Sequence, residues 1–310
     1  MARVFCVKGD KMADLEQLAP GILAQFGGDF ASAVRAGGWT NCVWIAGDLV
    51  LRISPDAGGD RIRREAALGM RLPASVGYPK VLGTGVLDGH EWSVSRRVPG
   101  VNLGEAWPNL SWEKRSQAMR ALWAITQEIH AADVESLVLP RRTWYSDLQA
   151  EGAYADLDSL FERGMLDRDL ADALNGILDG FFDALGRAQA CLCHGDLTME
   201  NMMWHGGTIV AVFDFEHAAF LPAQADVYSF LRHAFGPDSE AAPPWFLEDV
   251  ARLARGRVRN ADEAQLLLGF AALISIRHMD IWDGDEPRQC LISLANGRGG
   301  FLGPVVEMAQ

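Results

Sequence analysis

The segment Cys191–His217, CLCHGDLTMENMMWHGGTIVAVFDFEH, constrains this chain more than any other stretch. Two apolar runs, Met202–Trp204 and Thr208–Phe213, flank His205-Gly206-Gly207, and a glycine pair between strand-like runs predicts a tight hairpin. That hairpin returns Asp214 to the side of Asn201, so an amide oxygen and a carboxylate face one cavity. Asp196 stands five residues before Asn201, on the loop that enters the hairpin. A carboxylate is thereby placed where a hydroxyl can lose its proton, beside two oxygen ligands for a hard cation such as Mg²⁺. Phosphoryl transfer requires such a set.

The same segment holds Cys191, Cys193, His194, His205 and His217, which invite a zinc reading. Cys-x-Cys on a strand aims both sulfurs along one face, and no second pair at ligand spacing follows, which disfavours zinc. Five cysteines without a framework predict reduced thiols and a cytoplasmic protein.

The order His194-x-Asp196-x4-Asn201, followed by Asp214 beyond a hairpin, resembles the catalytic and metal loops of protein kinases. The wording HGDLTMEN and VFDFEH is more similar to the aminoglycoside phosphotransferase and choline kinase branch. Gly195 stands where protein kinases carry Arg, and Glu216 where they carry Gly. The resemblance runs from about Asp29 to Arg232. It implies an α+β, two-lobed protein-kinase-like fold. A small antiparallel-sheet N-lobe over residues 1–100 would bind nucleotide; a mainly helical C-lobe over 101–310 would carry the catalytic loop and the acceptor-binding helices. By the same resemblance Asp196 is the catalytic base, Asn201 and Asp214 hold Mg²⁺, and Asp226 braces the catalytic loop. His194 is read as a loop-fixing, hydrogen-bonded residue, and His130 as a satisfied core histidine.

In the N-terminal part, Leu49–Ile53 reads as a strand, and LVLRIS puts Arg52 where the family carries a phosphate-binding Lys. Arg keeps the charge and can grip phosphate and carboxylate together. Glu65, on an expected helix Asp60–Leu72, is its candidate partner, although Arg61, Arg63 and Arg64 compete for it. Gly37 and Gly38 lie in the turn between expected strands Phe30–Val34 and Cys42–Ile45, where backbone amides would cover the nucleotide phosphates. The strand Trp92–Val98 ends at Pro99-Gly100 and resembles the hinge whose main-chain groups, here of Arg96 and Val98, bind the adenine edge. No Gly-Lys pair occurs, so a Walker A loop is excluded, and Gly83-Thr84-Gly85 has Asp88 where a dinucleotide fingerprint needs its last Gly.

Lys+Arg 28 against Asp+Glu 41 gives a net charge of −13. This disfavours nucleic acid and anionic membrane and suits a cationic acceptor. Met279–Glu286 concentrates four carboxylates around a Trp, so Trp282, Asp283, Asp285 and Glu286, with Glu216, are the expected acceptor contacts. No apolar run approaches the ~20 residues of a membrane span, and the N-terminus lacks the apolar core of a signal peptide. The expected reaction moves the γ-phosphoryl of ATP or GTP to a hydroxyl of a small molecule, as a monomer or homodimer. The resemblance implies an aminoglycoside-like or other antibiotic as acceptor. Its rivals are choline, ethanolamine, a sugar or an amino-alcohol, or a nucleotide-binding scaffold without catalysis.

Overall fold

The computed structural model describes residues 9–37, 40–134, 136–140, 142–235, 242–281, 285–296 and 302–307. Period-two burial builds the N-terminal sheet. In β2 (Cys42–Ala46) and β3 (Leu49–Ala57), the residues Cys42, Trp44, Ala46, Leu49, Leu51 and Ile53 turn to one face. There they meet Leu15, Ala19, Ile22 and Leu23 of helix α1 (Gly9–Ala24) in a core of their own. Truncating a core residue such as Leu51 to Ala should cost about 2–5 kcal/mol. With β1 (Val34–Ala36), β4 (Val81–Leu87) and β5 (His90–Arg96), the order is β1-β2-β3-β5-β4, antiparallel throughout. The same alternation sends Arg52 to the face opposite Leu51 and Ile53, toward α2 (Arg61–Gly69), which carries Glu65.

The first strand sits later than Phe30–Val34. Asp29 accepts the Ala31 amide through its side chain at 2.9 Å and the Ser32 hydroxyl through its carbonyl, and this winds Phe30–Ser32 into a 3-10 turn. A short polar side chain that bonds its own backbone outcompetes strand pairing there.

Beyond Pro99-Gly100 the chain enters a second sheet and a larger helical core. β6 (Val101–Asn102) pairs with β8 (Met202–His205), which pairs with β9 (Thr208–Val212). Gly206 and Gly207, at φ 59° and 86°, form the turn between β8 and β9, the two left-handed residues that a two-residue hairpin demands. β7 (Cys191–Cys193) pairs with β10 (Ala219–Leu221). The surrounding helices are α3 (Leu103–Ala106), α4 (Trp112–His130), α5 (Ala150–Glu162), α6 (Arg168–Leu185), α7 (Gln224–Phe235), α8 (Pro244–Ala254), α9 (Ala261–Ile281), α10 (Glu286–Ala295) and α11 (Gly303–Val306). Ser111 and Asp167 cap α4 and α6 by accepting backbone amides. Phe181, Phe215, Phe230, Phe246 and Phe270 fill the core. Contrary to the sequence expectation, α9 is long and apolar enough to cross a membrane by length and composition, but most of it is buried inside the protein. Its Gly269 lies where a Cβ would come within 2.1 Å of the Phe181 ring, so α9 presses directly on α6.

Candidate active site

The hairpin and β7 aim the loop between them at the β3–α2 side of the N-terminal sheet. Asp196 follows β7 by three residues. Its Oδ2 accepts the Asn201 amide at 3.2 Å, and its carbonyl accepts the same nitrogen at 2.9 Å. His194 accepts the Asp196 amide on Nδ1 at 3.3 Å and donates from Nε2 to the Phe213 carbonyl at 2.9 Å. These two bonds fix the neutral tautomer and tie the loop to the strand that delivers Asp214. Burial pushes the Asp196 carboxyl up to about 6; the charges of Asp214 and Glu216 act in the same direction, while His194 and Asn201 oppose them.

Gly195 has φ +80°, and a Cβ there would stand 2.3 Å from the His217 carbonyl. The Arg of protein kinases has no room at this position. Asp226, in the first turn of α7, is fully buried and accepts three donors: the His194 amide at 2.8 Å, the Gly195 amide at 3.1 Å and His130 Nε2 at 3.1 Å. Burial alone would raise its pKa, but the bond from His130 and the neighbouring histidines hold it below the ordinary carboxylate value. His130 is therefore more than a core filler, and its Nδ1 is buried without a partner among the described residues. On the same helix as Asp226, His233 Nε2 reaches the Leu197 carbonyl at 2.7 Å.

Across the cleft, Arg52 Nη1 meets Glu65 Oε2 at 2.7 Å and its Nη2 meets Asp214 Oδ1 at 2.8 Å, with Glu216 Oε2 at 3.8 Å. Of the four arginines near Glu65, Arg52 reaches it because Arg61, Arg63 and Arg64 turn to Glu216, Glu91 and Asp60. Glu65 also accepts the Tyr78 hydroxyl at 3.1 Å and the Phe215 amide at 3.2 Å. Burial raises the Glu65 pKa, with Arg52 opposing. Burial also works against the charge on Arg52, but Glu65, Asp214 and Glu216 outweigh it and hold its pKa above the ordinary arginine value.

Asp214 occupies the left-handed region at φ 66°, ψ 52°, a conformation that non-glycine residues adopt rarely and that concentrates at functional sites. The Asn201 amide nitrogen is engaged by Asp196, which turns its oxygen away from that contact, and Arg52 takes only one oxygen of Asp214. Hard oxygen donors of this kind fit Mg²⁺.

Other expected residues fall differently. Glu216 is not open to an acceptor: its side chain is 2% exposed and held by Arg61 at 3.2 Å and by the Asn41 amide at 3.2 Å. The sequence carried no local sign that Asn41, Arg61 or Tyr78 would join the site. Gly37 follows β1, where a Cβ would meet open space, and Gly38, Trp282 and Asp283 lie outside the described residues. The Arg96 amide already donates to the Lys80 carbonyl at 2.9 Å, and Arg97 to Asp48 at 2.8 Å. An adenine contact at Arg96 could therefore not use its amide. Glu286 pairs with Arg232 at 3.3 Å and Asp280 with Arg163, so two of the four carboxylates of the acidic segment have arginine partners; Asp285 lies at the start of α10.

A five-stranded antiparallel sheet with a carboxylate-paired arginine, joined to a helical lobe that carries an Asp–Asn–Asp cluster, defines a kinase-like phosphotransferase architecture. The model of the phosphotransferase enzyme family, APH, matches residues 33–275, and the chain belongs to that family. An aminoglycoside 3'-phosphotransferase of Streptomyces fradiae is 27% identical over 158 residues, 48% of this chain and 55% of that relative, so the match spans about half of the relative's length. Among solved structures, the GDP and kanamycin complex of APH(2")-IIia superposes with a TM-score of 0.64 at 20% identity, covering 91% of this chain and 98% of that one. A choline/ethanolamine kinase family protein from Mesorhizobium loti gives 0.59 at 19% identity, covering 96% and 99%.

Proposed function

We propose that this chain transfers the γ-phosphoryl group of ATP or GTP to a hydroxyl of an aminoglycoside-like, cationic small molecule. The observation that carries this reading is Asp196, half-enclosed with its carboxyl near 6 and set by Asn201 opposite the Arg52–Asp214 pair. A base with a pKa close to working pH is both ionised and basic enough to take a hydroxyl proton in the transition state. Asp196 orients the acceptor hydroxyl and accepts its proton; Arg52, fixed by Glu65, faces the phosphates; the main chain at Arg96 and Val98 receives the base. Asn201 and Asp214 would hold Mg²⁺, which supplies neutralisation of the phosphate charge. Likeness to aminoglycoside phosphotransferases and the net charge of −13 support a cationic acceptor. Likeness to a choline/ethanolamine kinase family protein supports a second reading, a metabolic kinase for a small amine alcohol.

The test presents γ-labelled ATP and GTP with kanamycin, streptomycin, hygromycin B, choline, ethanolamine and simple sugars. Label transferred to an aminoglycoside is the expected result. Transfer to choline or ethanolamine alone replaces the first reading with the second. Tight nucleotide binding with no transfer to any hydroxyl, together with a captured protein partner, would leave only the scaffold.

A further inference from the structure

The Cys-x-Cys pair ahead of His194 has no part in the chemistry above. On β7 the two sulfurs project to one face and stand 3.9 Å apart, in van der Waals contact. Cys193 is fully buried, whereas Cys191 is partly exposed. Cys193 Sγ lies 3.6 Å from each of the Leu221 and Pro222 carbonyls and 4.0 Å from His130 Nε2. His130 in turn bonds Asp226, which accepts the amides of His194 and Gly195. The dithiol is thus one contact from the groups that fix the Asp196 loop.

We propose that Cys191 and Cys193 form a thiol-oxidation site, which closes to an intramolecular disulfide by exchange with a low-molecular-weight disulfide such as oxidised glutathione, and that closure loosens the Asp196 loop. Cys191 is the entry thiol, since it is the one that solvent reaches. The hydrogen bond from Cys193 pulls its pKa down to about 7, against burial and with help from His130, while burial holds the Cys193 thiol well above its usual value. A thiol titrating near neutral pH is well matched to attack a disulfide. The Cys191 thiolate attacks one sulfur of the oxidant, forms a mixed disulfide and expels one thiolate. Cys193 then attacks Cys191 Sγ and expels the second thiolate, which takes up the Cys193 proton. Two protein thiols are oxidised and one external disulfide is reduced to two thiols.

Closure strains β7. Residues two apart on a strand have Cα atoms about 6.6 Å apart, near the upper limit of ~6.8 Å for a disulfide. The sulfurs must also approach by about 1.9 Å from their present 3.9 Å. A three-residue strand, paired among the described residues only to β10, resists this contraction weakly, and moving Cys193 would disturb its contact with His130. Strained disulfides are the readily reversed, regulatory ones. The sulfurs and a His130 nitrogen also lie within 4.8 Å of one another, the spacing of a metal site. However, His130 Nε2 donates its hydrogen to Asp226 and offers a metal no lone pair there.

The experiment treats the full chain with oxidised glutathione and reads intact mass, peptide maps and amide exchange at His194 and Gly195. These readouts need no acceptor, so they stand or fall apart from the phosphotransferase reading. The expected result is loss of two hydrogens mapped to a Cys191–Cys193 link, reversal by dithiothreitol, and exchange at both amides faster by about tenfold, the scale of one hydrogen bond lost. Cys191→Ser should keep the reduced protein's nucleotide affinity and form no link. A glutathione adduct that never closes, a link between two chains, or thiols that stay reduced overturns the proposal. So does a disulfide that leaves both amides protected. Stoichiometric zinc in untagged protein that shields the thiols until chelated overturns it in favour of a metal site.

Discussion

Replacing Asp226 with Asn tests whether the catalytic loop is held from beneath. The wild-type carboxylate accepts two donors on Oδ2, His194 N at 2.8 Å and His130 Nε2 at 3.1 Å, and one on Oδ1, Gly195 N at 3.1 Å. Asn has one acceptor oxygen. If that oxygen serves His194 and His130, the amide nitrogen faces the Gly195 N–H, donor against donor, in a site with no exposed surface. Loss of one charge-assisted bond and weakening of two others should cost about 3 kcal/mol, and Asp226→Ala, which leaves three buried donors unmet, about 5 kcal/mol. For a chain of this size the Asn change corresponds to a fall in Tm of roughly 5 °C. Urea titration gives the free energy, and amide exchange at His194 and Gly195 locates it. The pH dependence carries a sign. The folded pKa of Asp226 is depressed, so its contribution is complete above the unfolded value of about 3.9 and disappears as pH falls through the lower folded value. The difference between wild type and the Asp226→Asn variant should therefore stay flat from neutral pH down to about 4 and shrink only below it. A loss under about 1 kcal/mol with both amides still protected would refute the brace.

Asp196→Asn should reduce phosphoryl transfer by about 100-fold or more while nucleotide affinity holds. Since the raised carboxyl contributes stability that is complete below its unfolded pKa and lost as pH rises through about 6, the Asp196→Asn variant should melt above wild type at pH 8 and match it near pH 4; the reverse order counts against a desolvated base. Wild-type turnover should fall as pH drops below about 6, measured as kcat at saturating substrates. Arg52→Lys should retain the pair with Glu65 but release Asp214, raising KM for nucleotide with a small change in Tm; equal effects on both would point to a structural role alone. Gly195→Ala should lower both activity and Tm, because the Cβ would meet the His217 carbonyl at 2.3 Å in a backbone conformation alanine avoids; an unchanged Tm would show that the loop can shift.

The hairpin was legible because its determinants are local: a glycine pair, two apolar runs and fixed spacings all lie within one stretch. Arg52 was found through its resemblance to the family's third strand, and the alternation of β3 then puts it on the face opposite Leu51 and Ile53. What stayed hidden depended on distant chain. Nothing near Glu65 distinguishes Arg52 from Arg61, Arg63 and Arg64; each choice is made by where Glu216, Glu91 and Asp60 sit in space. Glu216 was expected at the acceptor because it stands two residues after Asp214, yet Asn41, 175 positions away, donates to it and it is buried. His130 lies at the end of an ordinary amphipathic helix, and only the return of α7 brings Asp226 to it. The misplaced first strand had a local cause, an Asp29 turn, which apolar content alone does not reveal.

Arg52 in place of Lys follows from the shape of the cleft. Its guanidinium satisfies two carboxylates on separate nitrogens at 2.7 and 2.8 Å, with a third 3.8 Å from Nη2. A planar fork can hold Glu65 of α2 and Asp214 of the hairpin together, whereas an ammonium is a point charge that favours one at a time. Glu65 also accepts the Phe215 amide, next to Asp214, so helix, strand and hairpin share one ionic knot. Arriving phosphates would compete with Asp214 for Arg52 Nη2 and leave Nη1 with Glu65. That exchange would free Oδ1 of Asp214, the oxygen Arg52 holds, for a cation at the moment nucleotide brings one, so nucleotide and metal should bind with positive coupling. The coupling depends on the fork and should weaken in the Arg52→Lys variant even where each ligand alone still binds.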